Sequence, residues 1–274
     1  MLNKEELNLV YEHAYLPEHV PTYVEAVSGA EAYLEGGYLC FSRGNHLTFV
    51  GYPLGGERGD APRAYESACE HFRPGTVAII APEIWLPAET YGKQVEDSYY
   101  RLMLPSATPS PEVAYMVRRA SRELRVREGK FGKEHHRLVE DFLSKRQLTE
   151  AQIHIFKHIG PYTERSTSVR LLEARKGDVL VAFTIADMGS VGYAFYLFNF
   201  RSVADRVPGA SDLLFDVMVR LAESEGKAAI NLGLGINSGN RHFKEKWGGT
   251  PFLDYNAAFI NRKPFEMGRL MHKL

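Results

Sequence analysis

The sequence predicts a mixed α+β fold made of two halves with a similar order of elements. In each half, apolar residues alternate or recur at helical spacing in segments that suggest a hairpin, further strands and a helix. The two hairpins turn at Gly44-Asn45 and at Lys176-Gly177. We therefore expect tandem halves, each a mixed sheet flanked by helices, with a helical connector between them. The predicted segments are an N-terminal half, the connector and a C-terminal half, at residues 1–110, 111–160 and 161–274.

Composition places the chain among ordinary globular proteins. Of 274 residues, 45% are hydrophobic and 24% are charged, which is enough for a sizeable core. The net charge of −1 excludes a global electrostatic field that would recruit nucleic acid or an anionic membrane. No run reaches 18 apolar residues, so no membrane-spanning segment is expected. Cys40 and Cys69 show neither metal-ligand nor disulfide spacing, which favours core positions in a cytoplasmic protein without a metal site.

Periodicity assigns elements along the first half and the connector. The first half is predicted to contain helices at 3–15 and 61–72 and strands at 32–43, 46–52, 76–82 and 98–105. The connector is predicted to contain amphipathic helices at 112–125 and 133–144 and a third helix that begins at Thr149. The second half continues with a hairpin at 169–174 and 178–186 and an aromatic strand at 193–200.

The stretch from Arg206 to Tyr255 organises the C-terminal half. It combines a glycine-bearing loop, an amphipathic helix capped near Asp212, a short apolar strand, a polar turn, a basic helix and a last strand. Gly233 interrupts the apolar strand, which suggests a bulge or a close backbone approach by a ligand. Amide N–H groups exposed at the start of a helix can bind phosphate oxygens when glycine permits close approach. This stretch therefore predicts an anion site beside the apolar strand.

Two motifs in this stretch resemble a known superfamily. The loop RVPGAS at 206–211 approximates the Arg/Gln-x-x-Gly-x-Gly/Ala loop of the GNAT acyltransferases, with Ser at a position where Gly or Ala is usual. The segment FKEKWGG at 243–249 is similar to the Phe-Lys-x-x-aromatic-Gly-Gly ending of FemABX-type double-GNAT domains. The resemblance implies tandem GNAT-like halves whose C-terminal half binds acyl-CoA or CoA as co-substrate. The implied donor-binding residues are Arg206, Gly209, Ala210, Ser211 and Gly233.

The same resemblance supplies candidates for the chemistry. GNAT proteins often protonate the leaving thiolate with a Tyr four residues before the glycine of the last helix, where this chain has Lys244. FemABX-type domains use a Lys at that position to contact substrate. Asn231 and Asn237 flank the glycine-bearing strand and could orient a carbonyl, although capping of a turn is an alternative role. The candidate catalytic residues are thus Lys244, Asn231 and Asn237. Tyr193 and Tyr196 should point to opposite faces of an unbulged strand.

These observations favour an N-acyltransferase that moves an acyl or aminoacyl group from an activated donor to an amine of a small molecule or peptide. One alternative is aminoacyl-tRNA-dependent transfer, which the FemABX resemblance permits but which the neutral net charge does not favour. Another is a non-catalytic protein that binds a ligand or partner in the same cleft. Neither the acceptor nor the oligomeric state follows from the sequence.

Overall fold

The structure is a computed structural model that describes residues 1–55, 59–92, 94–107 and 109–262. It confirms the predicted mixed α+β class. The chain forms two compact units that are interleaved in sequence. The first unit comprises residues 1–3, 30–97 and 254–274, and the second comprises 4–29 and 98–253. The predicted boundaries at residues 110 and 160, which separate the two tandem halves from the connector, stay a prediction.

The first unit contains a sheet with one helix beside it. Its strands are β1 (Glu31–Glu35), β2 (Tyr38–Arg43), β3 (His46–Val50), β4 (Thr76–Ala81) and the end of β11 (Thr250–Asn261), in that spatial order. Strands β3 and β4 are parallel and the other pairs are antiparallel. Helix α3 (Ala61–Phe72) is capped by the Asp60 side chain, and its Cys69 packs with Cys40 in the core of this unit. Both cysteines are buried, as expected.

The second unit contains the other strands. They are β5 (Gln94–Met103, from Ser98 onward), β6 (Arg125–Glu128), β7 (Val169–Lys176), β8 (Val179–Asp187), β9 (Tyr193–Arg201) and β10 (Ala229–Leu234). Their spatial order is β5-β10-β9-β8-β7-β6. Strands β9 and β10 are parallel and the remaining neighbours are antiparallel. Residues of β8 are buried along nearly the whole strand, which accounts for its continuous apolar sequence.

Helices cover both faces of this sheet. They are α1 (Lys4–His13), α2 (Pro21–Ser28), α4 (Pro111–Ser121), α5 (Lys133–Ser144), α6 (Glu150–Lys157), α7 (Ile159–Arg165), α8 (Ala210–Ser224) and α9 (Ser238–Lys246). A short 3₁₀ turn at Pro17–His19 links α1 to α2. Helices α4, α8 and α9 share one core with the sheet, whereas α2, α5, α6 and α7 contribute to another.

The connector differs from its predicted all-helical form. The helix predicted at 112–125 ends at Ser121, and Arg125 begins β6, which pairs with β7. The helical prediction continued too far because Leu124 stays in phase with the apolar face of α4 and is buried, although it follows the helix. Helix α7 was not predicted. No helix within the described ranges is both long and apolar enough to cross a membrane.

Candidate active site

A gap opens between two neighbouring parallel strands of the second unit. Strands β9 and β10 pair only from Tyr193 opposite Ala229 to Phe195 opposite Asn231. Beyond that point β9 runs on to Arg201 and β10 to Leu234 without pairing to each other. The gap therefore lies at the carboxyl ends of the two strands, where α/β proteins commonly bind ligands.

A bulge in each strand accompanies this separation. In β9 the register against β8 shifts so that Leu197 is the additional residue, between Tyr196 and Phe198. In β10 the register against β5 shifts at Leu232, next to Gly233, whose φ is 73°. Bulges bend a strand and increase its twist, which separates it from a neighbour that continues straight. The predicted bulge at Gly233 is confirmed.

The two predicted tyrosines of β9 lie on opposite faces. Tyr196 packs against Phe215 of α8, with ring centroids 5.1 Å apart. Tyr193 lies on the other face, where its ring centroid is 6.4 Å from that of Tyr15 in the N-terminal segment. Burial raises the pKa of Tyr196 well above its usual value, so its hydroxyl stays neutral.

Asn231 is fully buried at the point where the strands separate. Its amide nitrogen donates to the Tyr15 carbonyl at 2.8 Å, and its amide oxygen accepts from the Gly233 N–H at 2.7 Å. Both ends of the side chain are therefore engaged within the protein. Asn231 holds the N-terminal segment and the β10 bulge in place, which is a positioning role at the predicted site.

Gly209 meets helix α4 rather than open solvent. Its φ is 84°, and a Cβ added there would lie well inside the contact distance of the Met116 carbonyl oxygen. Glycine is required at this position because the backbone turns left-handed and because α4 approaches closely. Packing thus explains the glycine of RVPGAS, and Ala210 is buried in the same core.

The neighbouring loop residues divide between exposure and internal contacts. Arg206 is exposed at the end of the loop. The Ser211 hydroxyl donates to the Asn199 amide oxygen at 2.8 Å, and the Asn199 amide nitrogen donates to Thr184 at 2.6 Å. This chain of bonds fixes the start of α8 to the carboxyl end of β9. Asn199 was not identified from the sequence, because an Asn within an aromatic strand gives no periodic signal.

Lys244 and Asn237 of the second motif region occupy different environments. Lys244 is buried, and its ammonium group contacts the Leu234 carbonyl and lies 5.4 Å from the centre of the Tyr100 ring. It therefore stabilises the end of β10. Asn237 is exposed and caps α9 by accepting from the Asn240 N–H at 3.0 Å. The alternative role of Asn237 as a cap is the one that its contacts favour.

The remainder of FKEKWGG joins α9 to α8. Asp212, in the first turn of α8, is buried and accepts from the Trp247 indole N–H at 2.9 Å. The Lys246 ammonium lies 2.6 Å from the same carboxylate oxygen. A Cβ at Gly249 would overlap Leu232. Lys246, Trp247 and Gly249 thus hold this end of α9 against α8 and β10.

The N-terminal segment covers the other face of the gap. Ala14 and Val20 pack with Phe195, and the Tyr15 carbonyl is held by Asn231. Next to them the Glu18 carboxyl lies beside the Tyr99 hydroxyl of β5. Burial raises the pKa of the Glu18 carboxyl. Glu18 and Tyr99 were missed by sequence reasoning, because nothing in a Pro-Glu-His turn indicates that its carboxyl reaches a strand far along the chain.

A second polar cluster lies around Glu173 of β7, beside a pocket of about 460 Å³. One carboxylate oxygen of Glu173 accepts from Arg127 at 2.8 Å and from Arg175 at 3.1 Å. The other oxygen lies 3.2 Å from the imidazole Nε2 of buried His135. Burial lowers the pKa of His135. The charged groups of this cluster pair with one another within the protein. These pairs connect β6, β7 and α5. Across the described part of the chain, no group of side chains has the composition of a metal site.

The start of α8 has amide groups that no side chain caps. The helix has 15 residues and no side-chain cap, so the Ser211 and Asp212 amides at its first turn meet no capping side chain. The Asp212 charge is balanced by Lys246, and the exposed Arg206 adds positive charge nearby in the chain. At Gly209 the space that a Cβ would occupy is taken by α4, and a contact of this residue with a donor stays a prediction.

Comparison with known proteins identifies the fold. No family model and no curated protein matches the sequence. The C-terminal domain of a putative lysylphosphatidylglycerol synthetase from Agrobacterium fabrum is similar in structure, with a TM-score of 0.62 and 14% identity over 92% of this chain and 89% of that one. The structure of FemX matches with a TM-score of 0.61 and 10% identity, over 100% of this chain and 99% of that one.

A third match is a tandem GNAT protein from the clavulanic acid biosynthesis pathway, with a TM-score of 0.54 and 11% identity over 96% of this chain and 97% of that one. The chain therefore has a tandem GNAT-like fold, with FemX-type proteins among its structural relatives. The fold predicted from the two motifs is confirmed, and at these identities the matches concern the fold alone.

Replacing Gly209 by Ala should destabilise the protein more than replacing Gly177, which provides a matched control. Both glycines have positive φ, but a Cβ at Gly177 meets no atom within 4 Å. We expect Gly177→Ala to cost roughly 1–2 kcal/mol from the left-handed backbone alone. Gly209→Ala should cost about 1–3 kcal/mol more from overlap with Met116. Urea unfolding of both variants measures the difference, and equal losses would contradict the contact with α4.

Substitution by Asp should destabilise the protein strongly at Asn231 and hardly at all at Asn237. Asn231→Asp removes the donor to Tyr15 and introduces a buried charge, so we expect a loss of about 1–3 kcal/mol or more at pH 7. Asn237→Asp keeps a good helix cap, and its effect should stay within about 0.5 kcal/mol. Denaturant midpoints of the two variants report this directly. Equal tolerance at both positions would show that Asn231 is not a buried anchor.

Proposed function

We propose that the protein transfers an acyl or aminoacyl group from an activated donor to an amine of a small molecule or peptide. The favoured donor is an acyl-CoA. The observation that carries this proposal is the separation of β9 and β10 beyond Phe195 and Asn231, with α8 beginning at the same end of the strands. The candidate donor contacts are the first-turn amides of α8 at Ser211 and Asp212, with Arg206 beside them.

The strand gap suits an acyl carbonyl for a physical reason. In a parallel pair, the backbone N–H and C=O groups of each strand bond to the neighbouring strand. Where β9 leaves β10, the groups on that side of β9 lack this partner, and backbone groups must be satisfied in another way. A carbonyl placed between the strands would accept from such an N–H group. The same donor would stabilise the negative charge that develops on the oxygen during attack by an amine.

The named relatives support the class of reaction. Their descriptions include a lysylphosphatidylglycerol synthetase, FemX and a tandem GNAT protein studied without AcCoA. From these relatives we carry over to this protein only the class of reaction, the transfer of an acyl or aminoacyl group. The contacts of Lys244 favour a role as a support for the end of β10, because its ammonium group is buried against the Leu234 carbonyl. We expect a cytoplasmic location, as the two unpaired cysteines suggest.

Two alternative functions differ from this proposal in the ligand that the protein would bind or in whether it catalyses a reaction. In the first, the donor is an aminoacyl-tRNA, which requires a basic surface near the gap in addition to the gap itself. In the second, the protein binds a ligand or partner without turnover, since the Tyr acid of GNAT enzymes is replaced by Lys244. Binding measured for each donor class distinguishes these alternatives.

Thermal unfolding with a donor series tests the proposal. The protein is heated with CoA, acetyl-CoA, longer acyl-CoAs, uncharged tRNA and aminoacyl-tRNA, since a ligand of the native state raises apparent stability by mass action. We expect CoA species to raise the melting temperature and tRNA to leave it unchanged. A rise in melting temperature with aminoacyl-tRNA alone would favour the first alternative, in which the donor is an aminoacyl-tRNA. No response to any donor would overturn the transferase proposal.

Charge reversal at Arg206 tests the position of the donor. Because Arg206 is exposed, Arg206→Glu should leave the fold intact and weaken acetyl-CoA binding roughly three- to tenfold. The control is Arg137→Glu, a reversal of the same charge at an exposed residue of α5. Isothermal titration calorimetry gives both dissociation constants. An equal change in the two variants would mean that the loop before α8 does not contact the donor.

A further inference from the structure

The N-terminal segment brings one ionisable side chain to the strand gap. Glu18 lies in the 3₁₀ turn at Pro17–His19, between α1 and α2, within the same compact unit as β9 and β10. Three residues before it, the Tyr15 carbonyl accepts from Asn231, and two residues after it Val20 packs on Phe195. Asn231 and Phe195 are the last pair before the strands separate. The turn that carries Glu18 is thus fixed over the opening.

One oxygen of the Glu18 carboxyl is without a partner inside the protein. The carboxyl lies beside the hydroxyl of Tyr99, which pairs with Leu234 at the end of β10. Its Oε2 atom is shielded from solvent and has no hydrogen-bond partner among the described residues. Buried polar atoms in native proteins nearly always have a partner, so an unpartnered carboxylate oxygen beside a proposed substrate gap indicates a catalytic or ligand-contacting role.

The surroundings favour a carboxyl that readily accepts a proton. Tyr99 of β5 and Tyr23 of α2 face it, and the adjacent His19 is buried against the Tyr15 ring. Arg101, on the same strand face as Tyr99, is directed to the Tyr193 hydroxyl and the Phe252 ring. No cation is therefore among the groups that set the proton affinity of Glu18, and burial raises its pKa.

We infer that Glu18 accepts the proton of the incoming ammonium group in the transfer reaction. This inference rests on the proposed function. The Glu18 carboxylate takes one proton from R–NH₃⁺, and the freed nitrogen lone pair forms the C–N bond to the acyl carbon. The bond from that carbon to the leaving sulfur or oxygen then breaks. The second nitrogen proton passes to the leaving thiolate or alkoxide, and Glu18 releases its proton to solvent. The Tyr99 hydroxyl lies beside the carboxylate.

Stability measured without any substrate tests the environment of Glu18. Its folded-state pKa is raised, so its contribution to stability is complete below the unfolded pKa and is lost as the pH rises through the folded value. Gln cannot ionise. The stability of Glu18→Gln relative to the wild type should therefore increase with pH over that window in urea unfolding. Glu12→Gln, at an exposed residue of α1, provides a control whose difference should stay flat. A flat difference for Glu18→Gln would overturn the inference.

Kinetics test the proton transfer itself. Acetyl-CoA is incubated with a panel of aliphatic amines, amino acids and short peptides, and thiol release is followed; aminoacyl-tRNA replaces acetyl-CoA if only the tRNA binds. We expect Glu18→Gln to lower kcat/KM about a hundredfold or more and to remove the acidic limb of its pH profile. Tyr99→Phe should retain the limb and move it to higher pH, because the Tyr99 hydroxyl beside the carboxyl lowers the pKa of Glu18.

The outcomes separate the two proposals. If the wild type releases no thiol or free tRNA with any amine, the transferase proposal fails and this inference fails with it. If the wild type is active and Glu18→Gln keeps its rate and acidic limb, only the inference fails. Should Glu18→Gln not fold, the Tyr99→Phe profile decides: a shifted limb supports the inference, and an unmoved limb overturns it.

Discussion

The early end of the β9–β10 ladder is the constraint on which the rest of the second unit depends. Two parallel strands that begin as partners at Tyr193 and Ala229 must be kept apart a few residues later. Bulges at Leu197 and Leu232 bend the strands, and buried groups maintain the separation. Without these contacts the strands would gain hydrogen bonds by closing, so the opening is a feature that the surrounding side chains stabilise.

The elements around the opening are tied to it by a small number of polar contacts. Asp212 links α8 to α9 through Trp247 and Lys246. Asn231 links β10 to the N-terminal segment, and Ser211 links α8 to β9. Asp212, Trp247 and Asn231 are buried. An unpartnered polar atom is costly there, so their bonds fix the geometry of these elements more strongly than they would on the surface. Polar contacts therefore act here mainly as positioning devices.

Much of the fold could be predicted from the sequence, whereas the roles of the site residues could not. Helical and strand periodicities located α3, α5, β4 and β9 closely, because their apolar faces are buried as the pattern implies. Strand β6 was not predicted, because it is short and lies on an edge, so burial leaves little pattern in it. The motif RVPGAS located the start of α8, yet the reason for Gly209 lies in α4, far along the chain. Glu18 had no local signal at all, since its partner Tyr99 is brought to it only by tertiary structure.

The interleaving of the two units bears on the order in which the chain can assemble during synthesis. The second unit has all its parts once residue 253 has left the ribosome, whereas the first unit also needs the residues from Asp254 onward. Within that first unit, the Tyr52 hydroxyl donates to the Asp254 carbonyl across a separation of 202 residues. Its β4 edge also lacks a partner until β11 is made. The part of the protein that begins first in the sequence is therefore the last to be completed, and its open strand edge needs protection in the interval.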